Sequence, residues 1–179
     1  MKINLQKLVY TALLLASGVL IPQLFHFGGP AAGTIFLPMH IPVLIGGLLL
    51  GPLYGAIIGV LSPALSFIII GMPPVAILPF MIIELCIYGL VSGYLSTKTK
   101  LLYPVLISGM ILSRAVYAGS LAIALYIFDM EKAAPLAVWT SFLKGLPGVA
   151  IQLVIIPPIV YALRRFALEK GNRKSEGTA

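Results

Sequence analysis

Three full charges stand where charges are costly. Glu84, Arg114 and Lys144 each fall inside a long apolar segment. An ionised side chain at the centre of a membrane helix costs about 2.5–3.5 kcal/mol on insertion scales, so a partner or a ligand must offset each one. Two chemistries are open. The plainer is an interhelix ion pair of Glu84 with Arg114 or Lys144. The other is a binding site: one acid against two bases leaves a surplus positive charge, which a carboxylate or phosphate on a small molecule would neutralise. Tyr88 lies one turn from Glu84, and Tyr117 follows Arg114 by three residues. Gly148 and Gln152 follow Lys144 at four-residue spacing, on one helical stripe. Trp139 and Tyr126 fall near a helix end, where an aromatic belt is the ordinary explanation.

A fourth candidate is His40, the lone imidazole in "FLPMHIPVLIGGLLLGP". It either lines a site or hydrogen-bonds a loop carbonyl. Other chemistry is excluded. No Gly-Lys dipeptide exists, so the chain holds no Walker A loop. There is no nucleophile elbow and no metalloprotease pattern, so no catalytic residue is assigned. His26 and His40 could in principle ligate a metal, but two imidazoles are weak evidence, and no metal is assigned. Cys86 is alone and reads as a small hydrophobe.

The elements that carry these residues follow from composition. Of 179 residues, 60% are hydrophobic and 9% charged. Soluble domains carry about 25% charged residues. No Lys, Arg, Asp or Glu lies between Lys7 and Glu84. That gap far exceeds the roughly 20 apolar residues of one membrane helix, so it holds several spans. Strands of a membrane barrel would alternate polar and apolar residues, and these segments do not. The expectation is an all-α integral membrane protein of six transmembrane helices, in one domain over residues 1–179. The helices are placed at about Leu5–Phe25, Pro38–Leu50, Leu53–Ile70, Val75–Leu95, Leu101–Phe128 and Leu136–Phe166. Lys2–Leu20 resembles the basic and apolar parts of a signal peptide, but the spans that follow favour a retained first helix.

Six crossings put both termini on one side. Lys2, Lys7, Lys98, Lys100, Arg164, Arg165, Lys170, Arg173 and Lys174 share that side, and only Lys132 among Lys and Arg falls on the other. This is the positive-inside pattern, so both termini are expected in the cytoplasm, with residues 1–4 and a frayed basic tail, 167–179, exposed there. The net charge of +7 is then a topology signal, and no nucleic-acid partner is inferred. Helix 2 would reach only about 20 Å at 1.5 Å per residue. That is short of a hydrocarbon core of about 30 Å. Its outer end must sit below the membrane surface, under an outward cavity covered by the Gly-rich loop that holds Gly28, Gly29 and Gly33.

Small residues add a packing signal. Ala12 and Ala16 frame "ALLLA", and Gly51, Gly55 and Gly59 repeat in "GPLYGAIIG". Residues of this size let helix backbones approach closely, within the chain or against a partner. Ala12, Ala16, Gly55 and Gly59 are the candidate docking residues.

"ALLLA", "FLPMHIPVLIGGLLLGPLYG", "SPALSFIIIGMPP" and "ELCIYGLVSG" together resemble the S components of energy-coupling factor (ECF) vitamin transporters, nearest the branch that includes pantothenate S components. The resemblance implies capture of a water-soluble vitamin from outside, with pantothenate the first guess. It implies docking through Ala12 and Ala16 on a membrane coupling subunit that binds two cytoplasmic ATPases. ATP would be hydrolysed there, and this chain would need no cofactor. The loop between helices 1 and 2 would gate a pocket formed by the outer ends of helices 4 to 6. His40, Glu84, Tyr88, Arg114, Tyr117, Trp139, Lys144 and Gln152 are the candidate ligand contacts. The alternative is a stand-alone secondary transporter of a small organic anion, with Glu84 as proton carrier. Either way, the expected location is the prokaryotic plasma membrane.

Overall fold

In the computed structural model, residues 5–26, 33, 35–99, 101–128 and 135–176 are described, with side chains for 5–25, 33, 35–99, 101–124 and 143–166. Their regular elements are helices: α1 Leu5–His26, α2 His40–Leu50, α3 Pro52–Ile70, α4 Leu78–Lys98, α5 Leu102–Phe128 and α6 Pro135–Glu176. All but α2 contain a stretch long and apolar enough to cross a membrane.

Local chemistry sets the boundaries. Gly51 separates α2 from α3. Its φ of 101° suits glycine and strains other residues. Pro52 then opens α3, at a position where a missing N–H costs nothing. Gly71, in the left-handed conformation, closes α3 by donating its N–H to the Phe67 carbonyl. α4 runs to Lys98, past the expected stop at Leu95, and Thr99 is the first extended residue. Fraying is the expectation for the basic stretch after Phe166, but its backbone continues α6 to Glu176. With no proline between Phe166 and Glu176, nothing in that stretch forces a break.

The shortest helix is the centre of the bundle. α2 has 11 residues, nine of them buried, and reaches about 16 Å at 1.5 Å per residue. Val43, Leu44 and Leu48 pack in one core with Ile58 of α3, Leu85 of α4, Leu106 of α5 and Ile156 of α6. Glycines let three helices meet backbone to backbone. A Cβ on Gly55 would stand 2.5 Å from the Gly89 carbonyl oxygen and 2.7 Å from Gly47 Cα, and one on Gly89 would overlap the Gly55 carbonyl. A Cβ on Gly59 would strike the Leu85 carbonyl. Gly55 and Gly59 are therefore buried in the α3–α4 contact, which corrects their assignment to a docking face. A side chain there would push two backbones apart, and neither residue is available to a partner. Ala12 and Ala16, by contrast, are exposed on α1, beside exposed Leu8, Leu13 and Leu20.

One end of the bundle is marked by cations. Lys7 Nζ donates to the Leu50 carbonyl at 3.3 Å, and Arg164 Nη2 to the Leu48 carbonyl at 3.1 Å. Both satisfy last-turn carbonyls of α2 that have no intrahelical partner, and both place positive charge at the negative end of its dipole. The start of α1 and the later part of α6 thus lie at the same end, as an even number of crossings requires.

Candidate functional site

At the opposite end, the first turn of α2 lies beneath a cavity of about 360 Å³. That volume suits a small metabolite. The chain enters α2 through a tight reversal. Leu37 has φ 49°, an uncommon conformation for a residue with a side chain. Its N–H donates to the Gly33 carbonyl at 3.2 Å, and the His40 N–H donates to the Leu37 carbonyl at 3.1 Å. Gln152 Nε2 of α6 also reaches the Leu37 carbonyl, at 3.5 Å. This bracing turns the His40 ring into the cavity wall.

Four helices bring the charges together. Arg114 Nη1 of α5 stands 3.2 Å from Glu84 Oε1 of α4. His40 Nε2 stands 3.9 Å from the same oxygen. The imidazole meets the Tyr88 ring edge-on, with centroids 4.9 Å apart and planes at 86°. Gly145 of α6 gives the guanidinium room: a Cβ there would lie 2.9 Å from Arg114 Nη2. Gly148 does the same for the incoming chain, since its Cβ would lie 2.6 Å from the Ile35 carbonyl oxygen. Lys144, one residue before Gly145, is exposed and lines the cavity, and among the described residues it has no ionic partner.

The sequence-derived candidates divide by depth. His40, Glu84, Arg114, Tyr117 and Lys144 line the cavity, as does Gly33. Tyr88 and Gln152 do not. Both are fully buried, Tyr88 behind the His40 ring and Gln152 under the Leu37 turn. Gly28 and Gly29 lie outside the described residues, as does the side chain of Trp139; Tyr126 is likewise placed only by its backbone. Sequence reasoning missed Ser66 of α3 and an apolar wall that includes Pro22, Met39, Met72 and Met81. The Met72 wall adjoins the "GMPP" turn, whose outward placement was its only signal. Ser66 had none beyond being a hydroxyl in an apolar helix.

The polar groups are under-satisfied. Among the described residues, both ring nitrogens of His40, Arg114 Nε and Gln152 Oε1 are buried without a hydrogen-bond partner, while Glu84 Oε1 is held by the Arg114 ion pair. Leaving such an atom unpaired costs about 1–3 kcal/mol. His40, Glu84, Arg114 and Lys144 line the cavity together, so it presents charge of both signs to what enters it. Among the described residues no group of three or more His, Cys, Asp or Glu could hold a metal ion.

No curated protein and no solved structure matches the chain. The model of one family, ECF transporter, substrate-specific component, matches residues 6–160. The match takes in α1 to α5 and the cavity-lining part of α6. It describes a component of uptake systems in the cell membrane and agrees with the multi-pass helical fold. Geometry and match converge: the chain belongs to the family of ECF transporter substrate-specific components.

Proposed function

We propose that this chain captures a small water-soluble vitamin or precursor carrying an anionic group, pantothenate first among the candidates, from the outer side of the membrane. One observation carries the reading. Arg114 already faces Glu84, while Lys144 opens on the same cavity with no counter-charge among the described residues. A carboxylate would complete the charge balance. The basic end with Lys7 and Arg164 faces the cytoplasm, by the positive-inside pattern, and the cavity faces out. Gly33 and Leu37, on the cavity lining, belong to the gate over it. The exposed stripe at Ala12 and Ala16 docks on a membrane coupling subunit, and two cytoplasmic ATPase subunits supply the energy.

Calorimetric titration of the purified protein tests the ligand class. Pantothenate is expected to bind and panthenol, in which an alcohol replaces the carboxylate, to bind at least about tenfold more weakly, a difference of about 1.4 kcal/mol. Equal binding would overturn the anion reading. Co-purification from native membranes tests the assembly. ATPase subunits should accompany the wild type and be lost with Ala12→Trp. Uptake that needs no ATPase and collapses with a protonophore would favour the stand-alone transporter.

A further inference from the structure

Four tyrosines mark a level on the outside of the bundle. Tyr10, Tyr94, Tyr103 and Tyr161 are each more than half exposed. They come from α1, α4, α5 and α6, and all four sit at the end opposite the cavity. Tyr10 lies three residues past Lys7, which reaches the last turn of α2. Tyr94 follows Gly93, where an added Cβ would stand 2.5 Å from Pro52 Cα at the start of α3. Tyr103 is the second residue of α5. Tyr161 lies three residues before Arg164, which reaches the Leu48 carbonyl. Exposed tyrosines at one level mark where hydrocarbon gives way to lipid headgroups. Lys98 stands at that level too, its Nζ 5.7 Å from the centroid of the Tyr94 ring.

α6 does not stop there. Its apolar stretch ends at Phe166, and the helix runs on to Glu176. Those ten residues add about 15 Å at 1.5 Å each. The headgroup layer is about 5–8 Å deep on each side of a bilayer. Lys170, four residues past Phe166, therefore falls at headgroup depth. Arg173 and Lys174 fall within about one Debye length beyond it. The three cations recur at three- and four-residue spacing, the repeat of one helical face. From Arg164 to Glu176 the sequence holds five Lys and Arg against Glu169 and Glu176. A Lys or Arg beside an anionic membrane surface strengthens attraction to it by roughly fivefold. An acidic protein partner would need these charges to stand clear of the bilayer, and their depth sets them against it.

We infer that the extension of α6 beyond Phe166 is a binding surface for anionic phospholipid headgroups, centred on Lys170, Arg173 and Lys174, with the exposed tyrosines setting its depth. The surface uses none of the cavity residues and does not depend on what the cavity captures.

Spin-labelled lipids test it on the full-length purified protein in phosphatidylcholine vesicles. Electron paramagnetic resonance reads how much labelled phosphatidylglycerol, and how much labelled phosphatidylcholine, is immobilised at the protein. Wild type is expected to hold phosphatidylglycerol at least about fivefold more strongly. The preference should fade between about 0.1 M and 1 M salt, as the Debye length falls from about 10 Å to 3 Å. Lys170→Gln, Arg173→Gln and Lys174→Gln combined should bring the two lipids close to parity. Inorganic phosphate should compete no better than chloride at equal ionic strength, and stronger competition would assign a free-anion site instead. Equal retention of both lipids by wild type overturns the proposal whether or not the variant folds. A preference that the folded triple variant keeps overturns it as well. Loss of co-purified ATPase subunits from the triple variant, with no lipid preference in wild type, would give the extension to a protein partner.

Discussion

At the end of the bundle that holds Lys7 and Arg164, the spare carbonyls of α2 are met by cations from α1 and α6, and glycines bring α2, α3 and α4 into backbone contact. At the other end, the His40 ring nitrogens, Arg114 Nε and Gln152 Oε1 lack hydrogen-bond partners among the described residues, and a cavity lies over the first turn of α2. The same short helix serves both ends. The contrast teaches that one end holds the fold together while the other gathers charged side chains around a cavity. Stability and binding should then respond to different substitutions.

The sharpest way to break that contrast is at Gly89. A Gly89→Val side chain would overlap the Gly55 backbone. Overpacking commonly costs about 1–3 kcal/mol and more where backbone cannot yield, so folded protein should be largely lost in size-exclusion profiles. A monodisperse Gly89→Val protein with wild-type melting would show that the glycine contact does not hold the fold. At the cavity, Arg114→Ala leaves Glu84 buried beside an imidazole alone. Removing one partner of a buried charge pair costs about 2–5 kcal/mol, and binding of pantothenate should fall by at least about thirtyfold. Lys144→Ala should cost at least about tenfold in affinity while the melting temperature stays unchanged, because Lys144 is exposed. Wild-type affinity in both variants would make the charges structural glue. Arg164→Gln should reverse the pattern, lowering stability by about 1 kcal/mol with affinity intact. The smallest effect is expected at Gly119, where an added Cβ would meet nothing within 4 Å. Gly119→Ala should raise stability by about 0.5–1 kcal/mol, in contrast to Gly89.

How much of this was legible depended on what kind of physics each residue expresses. Glu84, Arg114 and Lys144 stood out because charge inside an apolar segment is expensive wherever it packs. Which base Glu84 would choose was not legible, since spacing along separate helices does not set how those helices are rotated against one another. The structure chooses Arg114 at 3.2 Å. Tyr88 and Gln152 lie toward the site from their helices, but periodicity gives direction and not depth. They sit one layer behind the cavity. Gly55 and Gly59 announced a close approach without naming what approaches. The neighbour is α4, and only contacts between distant parts of the chain reveal it. The shortness of α2 was readable because Gly51 and the prolines on both sides confine it. The persistence of α6 to Glu176 was not. Polarity reads as a stop signal, yet no helix breaker stands between Phe166 and Glu176 except Gly171, which the helix tolerates.

The length of α2 also has an electrical consequence. In the outward orientation proposed above, water in the cavity carries the outside potential down to the first turn of α2. The whole membrane voltage then falls across the roughly 16 Å of α2, about half the usual hydrocarbon thickness. An anion that reaches the cavity floor has crossed almost none of that voltage, so its capture should be the same in polarised vesicles and in detergent. On leaving toward a negative interior it meets nearly all of it, about 2.3 kcal/mol per charge for each 100 mV. The electrical work of uptake is thereby deferred from capture to release, the step at which an ATP-driven partner would act.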